Sequence, residues 1–276
     1  MREISLQEMQ QLELALLLEL DAVCKEHGLR FYLDGGTLLG AVCYDGFIPW
    51  DDDIDIKMPR PDYEKLLTMQ GAFPAHIILD APEKGRCAFT FLKLIDSRTV
   101  LEEHHGAIQK TTGVYIDILP MDGHPQDPTV CRKHLATLSR LNSLFHSSQS
   151  KFSSLKNADR FLPRMKGYLY SSLYTPWRLY QKLTRKAMEY NYDSASSVGL
   201  LVEGDPIRER FEKGWLEPPA MMEFEGHLFP APNEAEKHLS IFYRKQISRE
   251  LYYHNLPKIP SIHEHVVYWK EESCQN

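Results

Sequence analysis

The strongest chemical signal in this 276-residue chain is Trp50-Asp51-Asp52-Asp53-Ile54-Asp55-Ile56. In an extended strand, side chains two positions apart share a face. Asp51, Asp53 and Asp55 then point one way, and Asp52, Ile54 and Ile56 the other. The two isoleucines need a core behind them, so the acidic face looks into a cleft or into water. Neighbouring carboxylates on that face stand about 5 Å apart, and at an effective dielectric near 20 each pair repels by roughly 3 kcal/mol. A raised pKa, splaying into solvent or a bound cation relieves that repulsion. Hard oxygen ligands select Mg²⁺ or Mn²⁺ over zinc. The shared face of Asp51, Asp53 and Asp55 is thus a candidate metal site, with a solvated acidic strand end as the alternative, and Asp52 points away as a structural residue.

Upstream, Asp34-Gly35-Gly36-Thr37 sits at a strand-to-helix turn. Glycines there let backbone amides approach phosphate oxygens, and the helix N-terminus adds positive potential. A glycine turn followed by two metal carboxylates on the next strand resembles the nucleotidyltransferase arrangement. Such sites take a third carboxylate from a later strand. Asp117 in Val114-Tyr115-Ile116-Asp117-Ile118-Leu119 is flanked by isoleucines in the same way.

The elements that must position these residues are legible around them. Ser5 and Glu8 form a capping box ahead of Leu6, Met9, Leu12, Leu16, Leu17, Leu20 and Val23 at helical spacing, with Gly28 as the stop. A short strand at 30–34, a helix over 37–42, a strand over 51–58 and a helix from Pro61 to about Met69 follow. Strands are expected at 76–80, 89–96 and 114–119. Helices are expected from Asp127-Pro128 to about Phe145, from Thr175-Pro176 to about Tyr190, and within 234–249. The fold class is α/β (α+β): a mixed-sheet, nucleotidyltransferase-like core over 1–125, then a mostly helical part over 126–276 that packs on it and binds substrate.

A formal charge of −6 argues against a general nucleic-acid binder. No stretch reaches the roughly 20 apolar residues of a membrane span, and no cleavage signal follows Leu14–Leu20, so a cytoplasmic protein is expected. The five cysteines are scattered and read as free thiols. His104–His105 and His263–His265 lack metal-ligand spacing. Trp177, Trp215 and Trp269 read as core residues, with stacking on a base or sugar as the alternative. Arg178, Lys182, Arg185 and Lys186 form a basic stripe on one helix, read first as a solvated face. Its alternative is a peripheral contact with an anionic lipid-linked glycan or the inner membrane surface.

The run Leu33-Asp34-Gly35-Gly36-Thr37-Leu38-Leu39-Gly40-Ala41-Val42, then Gly46-Phe47-Ile48-Pro49-Trp50 and the acidic segment, resembles the signature of the LicD family. That family includes bacterial phosphocholine transferases and is related to fukutin-type ribitol-phosphate transferases. The similarity continues through Met58–Tyr63, Lys93–Thr99 and Tyr115–Gly123, with weaker echoes at Phe224–Gly226, Phe229–Pro232 and Leu256-Pro257. It departs at Cys43-Tyr44, where the family often has a basic pair, and at Phe242–Lys245. The resemblance implies metal ligation by Asp53 and Asp55, with Asp117 as third ligand or as base. It implies a CDP-alcohol donor held near Asp34, Gly35, Gly36, Thr37 and Lys93, and a glycan or lipid-linked glycan acceptor. Asp34 reads equally as a turn residue, Lys93 equally as an edge-strand lysine, and Arg98 as structural. A nucleotidyltransferase that makes a nucleotide-activated intermediate is the enzymatic alternative. A non-catalytic binding subunit is the other.

Overall fold

The computed structural model describes residues 2–105, 108–149, 175–204, 206, 209–249 and 267–270. The chain opens with β1 (Arg2–Glu3) and α1 (Leu6–His27), whose N-terminus carries the expected capping box: Ser5 and Glu8 each accept from the other's backbone N–H. Gly28 ends α1 in the left-handed region, at φ 64°. Then come β2 (Tyr32–Leu33), α2 (Gly35–Tyr44), β3 (Asp55–Pro59), α3 (Arg60–Leu66), β4 (Ile77–Asp80), β5 (Leu92–His105) and β6 (Ile108–Gly123). Beyond them lie α4 (Pro128–Ser148), α5 (Pro176–Ala187), β7 (Ser197–Leu200), β8 (Arg210–Glu212), β9 (Ala220–Phe224), β10 (His227–Ala231), α6 (Ala235–Phe242) and β11 (Val267–Trp269).

Among the described residues nine strands form one mixed sheet, with β1-β11-β5-β6-β3-β2 as its main path. β4 adds to β5, and β7 and β8 extend from β6. β3 and β6 run parallel, whereas β2 with β3 and β5 with β6 are antiparallel. Leu16, Leu17 and Leu20 of α1 and Leu38 and Leu39 of α2 pack with Ile54, Ile56, Ile116 and Ile118 in the largest core cluster.

Two expectations are corrected. The strand predicted over 51–58 begins only at Asp55, because Gly35 turns the chain at φ 53° into α2 and β2 stops after two residues. Residues 51–54 therefore have no antiparallel partner. The part beyond residue 125 is also less helical than expected: with α4, α5 and α6 it supplies β7 to β11, and β7, β8 and β11 join the sheet of the first half. These strands are only three or four residues long, too short for an alternating pattern to show in the sequence.

No helix among the described residues is long and apolar enough to cross a membrane. Cys24, Cys43, Cys87 and Cys131 are buried free thiols, and Cys274 lies outside the described residues.

Candidate active site

Sheet register alone lines up most of the candidate residues. Asp55 of β3 is the parallel partner of Asp117 of β6, and Lys93 of β5 stands opposite Asp117. The Asp117 N–H donates to the Ile54 carbonyl at 2.8 Å, and the Asp34 N–H donates to the Asp55 carbonyl at 3.1 Å. Lys93, Asp117, Asp55 and Asp34 thus form one row across four adjacent strands or their ends. The alternation expected over 51–56 is present as burial. Asp51, Asp53, Asp55 and Asp117 keep some exposure, while Asp52, Ile54, Ile56, Ile116 and Ile118 are buried.

The glycine turn seats two of these carboxylates. A Cβ added to Gly35 would stand 2.8 Å from Oδ2 of Asp55, and one added to Gly36 would stand 2.6 Å from Oδ2 of Asp51. Thr37 fixes the neighbouring backbone, its Oγ1 accepting from the Asp55 N–H at 2.9 Å. Gly35→Ala should therefore act twice, straining a left-handed backbone by about 1–2 kcal/mol and driving the Asp55 carboxylate from its seat. We expect a modest fall in melting temperature and, on the metal reading of Asp55, a much larger loss of divalent-metal affinity. A variant that binds Mn²⁺ as the native chain does would show that the seat is unimportant.

The carboxylates repel one another as the sequence implies. The Asp55 carboxyl is pushed well above the usual range by burial, then by Asp53, Asp117 and Asp34. Asp51 is pushed up to about 7 by burial, then by Asp53 and Asp52. An acid whose pKa rises on folding keeps its proton longer in the native state, so the native state loses ground as pH climbs. The stabilisation gained by Asp51→Asn in metal-free protein should accordingly grow between about pH 4 and about pH 7 and then level off. Melting temperatures of both proteins across that range, in chelator, check this. A difference independent of pH would contradict it.

The donor set is all carboxylate oxygen, which fits Mg²⁺ or Mn²⁺. Among the described residues, however, the three side chains whose oxygens come within 4.8 Å of one another are Asp51, Asp52 and Asp53. The expected trio of Asp53, Asp55 and Asp117 does not converge to that degree. The reason is local. Lys93 holds Asp117 Oδ1 at 2.9 Å, and Asp55 leans on Gly35. Asp52, expected to point away, is buried yet brings an oxygen to the cluster.

Lys93 is almost wholly buried, with its ammonium 3.2 Å from the Tyr115 ring centroid and 4.2 Å from that of Phe89. It reaches the site as the counter-charge of Asp117. Asp34, offered as a turn or substrate-binding residue, is buried at the N-cap of α2 without capping it. Its two oxygens are held by Lys57 at 2.7 Å and by His238 Nε2 at 2.7 Å. Burial would raise the Asp34 carboxyl, but Lys57 and His238 outweigh it and hold the group well below the usual range.

Behind the row lies a network that the sequence did not reveal. Buried Lys57 bridges Asp34 and Glu209, the latter at 2.8 Å, and His238 stacks on Phe211 with ring centroids 3.9 Å apart. Buried Arg60 clamps Asp122 through two bonds of 2.7 and 2.8 Å. The available signal was Lys57 between Ile56 and Met58, a cation within an apolar strand. Its second carboxylate, Glu209, lies 152 residues further along the chain.

The remaining candidates fall into place. Arg98 pairs with Asp96, as a structural residue should. Arg178, Lys182 and Arg185 are exposed on α5, opposite buried Leu179, Leu183 and Ala187. Trp177, Trp215 and Trp269, expected in the core, are only half-buried: Trp177 stacks on Tyr180, and the Lys237 ammonium sits 4.0 Å from the Trp215 ring centroid. Trp269 lies on β11 and His104–His105 end β5; His263–His265 lie outside the described residues.

A parallel strand pair bearing facing aspartates beside a glycine-turn helix defines a nucleotidyltransferase-like α+β protein. Residues 28–156 match the family described as LicD/FKTN/FKRP, nucleotidyltransferase domain. The chain is 26% identical over 251 residues to the lipopolysaccharide cholinephosphotransferase LicD of Haemophilus influenzae, covering 88% of this chain and 91% of that protein. It is 35% identical over 102 residues to mannosyltransferase regulator 4 of Saccharomyces cerevisiae, covering 34% of this chain and 8% of that protein. It is 34% identical over 56 residues to the human ribitol 5-phosphate transferase FKRP, covering 20% of this chain and 11% of that protein. The matched domain over residues 28–156 and the likeness over 88% of the chain both support kinship with the LicD family.

Proposed function

We propose that this chain is a divalent-cation-dependent transferase that moves phosphocholine from CDP-choline, or a related CDP-alcohol phosphate, onto a glycan or lipid-linked glycan precursor of the cell surface. The carrying observation is the row of Lys93, Asp117, Asp55 and Asp34 beside the α2 glycine turn. It occurs in a chain whose likeness to a cholinephosphotransferase runs over most of its length.

Asp53 and Asp55 are the proposed holders of Mg²⁺ or Mn²⁺, with Asp117 completing the set or acting as base. When bound there, the ion neutralises charge on the donor phosphates and on the departing nucleotide. The amides of Gly35 and Gly36 and the hydroxyl of Thr37 line the start of α2, where donor phosphate oxygens are favoured. Lys93 places a buried positive charge beside Asp117. The acceptor hydroxyl oxygen attacks the distal phosphorus of the donor, and the bond from that phosphorus to the bridging oxygen breaks. CMP leaves with the bridging oxygen, and the hydroxyl proton passes to a carboxylate. Asp34, locked by Lys57 and His238, sets the position of the turn from behind and does not touch substrate.

A mass-spectrometric screen of CDP-choline, CDP-ribitol and CDP-glycerol, each with Mg²⁺ or Mn²⁺, tests the donor class. Slow, chelator-sensitive release of CMP from CDP-choline without acceptor is expected. Complete inertness toward all three donors would contradict the proposal.

A further inference from the structure

Glu13 sits in the middle of α1 and is fully buried, at 0% exposure. Neither of its carboxylate oxygens has a hydrogen-bond partner among the described residues. Other deeply buried charges near the site are paired: Lys57 with Asp34 and Glu209, Arg60 with Asp122, and Lys93 with Asp117. Burying a carboxyl without partners costs several kcal/mol once it ionises. A leucine at this position would continue the apolar face formed by Met9, Leu16, Leu17 and Leu20.

The direction in which Glu13 faces is fixed by its neighbour one turn earlier. Gln10 Nε2 donates to the Asp51 carbonyl at 2.9 Å. Residues three apart share a helix face, so the Gln10–Glu13 face fronts the Asp51–Asp53 loop. The same helix packs on β6, which carries Asp117. The field agrees: burial first, then Asp53, Asp52, Asp51 and Asp117, push the Glu13 carboxyl well above its usual range. Glu13 stands outside the group of three loop aspartates whose oxygens lie within 4.8 Å of one another, and a cation drawn between it and them would satisfy its orphaned oxygens.

We infer that Glu13 is the inner carboxylate ligand of a divalent cation held by the Asp51–Asp53 loop. This rests on the metal reading of Asp53 and adds a ligand from α1, outside the acidic segment, so that cation binding ties the first helix to the loop. The cation enters from the partly exposed side of Asp51 and Asp53, while Glu13 closes the site from the core.

Calorimetric titration of Mn²⁺ into metal-stripped protein tests it, comparing the native chain with Glu13→Gln and Asp53→Asn. Glu13→Gln should weaken Mn²⁺ binding by at least about tenfold, the size of effect seen when a metal site loses part of its support. Its metal-free melting temperature should equal or exceed that of the native chain, and most of the metal-induced rise should vanish. A purely packing role would lower the metal-free value and leave the rise intact, which overturns the inference. Loss of binding in Asp53→Asn with native-like binding in Glu13→Gln would also overturn it, leaving the metal reading standing. Native-like binding in Asp53→Asn would remove both. Should Glu13→Gln fail to fold, crystals of the native chain soaked in Mn²⁺ decide. An anomalous peak within bonding distance of a Glu13 oxygen supports the inference, and a peak that leaves both oxygens unbonded refutes it.

Discussion

Asp53→Asn and Asp55→Asn should each lower turnover by about 10²–10³, equivalent to roughly 3–4 kcal/mol of transition-state stabilisation. Asparagine keeps the shape of each side chain and removes the charge that a hard cation requires. At Asp55 the backbone is held by the Thr37 hydroxyl, by the Asp34 N–H and by parallel pairing with Asp117, so the substitution changes chemistry without moving the chain. Folding is not expected to suffer. Burial, Asp53 and Asp117 already disfavour the ionised Asp55, and replacing it relieves that repulsion in the metal-free protein. Turnover under saturating donor and metal, alongside the metal-free melting temperature, separates the two effects. Near-native turnover in either variant would remove that residue from the metal site.

Lys57→Met should destabilise the fold by about 3–5 kcal/mol, the range for a buried ion pair that loses one partner. Lys57 is 2% exposed and holds two buried carboxylates at once. Burial would lower its pKa, but Asp34 and then Glu209 reverse that, so the ammonium is firmly charged. Without it, Asp34 and Glu209 face each other with no cation between them, and the start of α2 loses its anchor. Methionine fills the volume, which leaves charge as the main loss. Denaturant midpoints provide the measurement, and adding Glu209→Gln to Lys57→Met should recover part of the loss. A loss below about 1 kcal/mol would mean that the network is not a structural anchor.

How much of this was legible in the sequence depended on how local the determinant was. The capping box of α1, the glycine turn into α2 and the alternation around Ile54 and Ile56 are set by residues a few positions apart, and they were visible there. Asp117 was found because isoleucines flank it as they flank Asp55, and register makes the two partners. The Lys57 network joins the N-cap of α2, β3 and α6 to a residue just ahead of β8, and no short-range pattern encodes such a meeting. Glu13 carries no signal of its own in the sequence, since only the fold brings it behind the acidic loop. The β9–β10 hairpin was equally hidden. Its turn places Glu225 and Gly226 at positive φ, and Glu225 accepts from the Phe47 N–H at 2.9 Å, steadying the loop that leads to Asp51.

The decisive measurement follows the label from CDP-choline carrying ³²P in its distal phosphate, incubated with the protein, Mg²⁺ and a glycan acceptor, beside a parallel reaction of CTP with phosphocholine. Attack at the distal phosphorus predicts unlabelled CMP, a labelled phosphocholine-bearing glycan, and no pyrophosphate from CTP plus phosphocholine. Pyrophosphate from the second reaction, with CDP-choline left intact in the first, would move the attack to the α-phosphate and make the chain a nucleotidyltransferase in function as well as in fold.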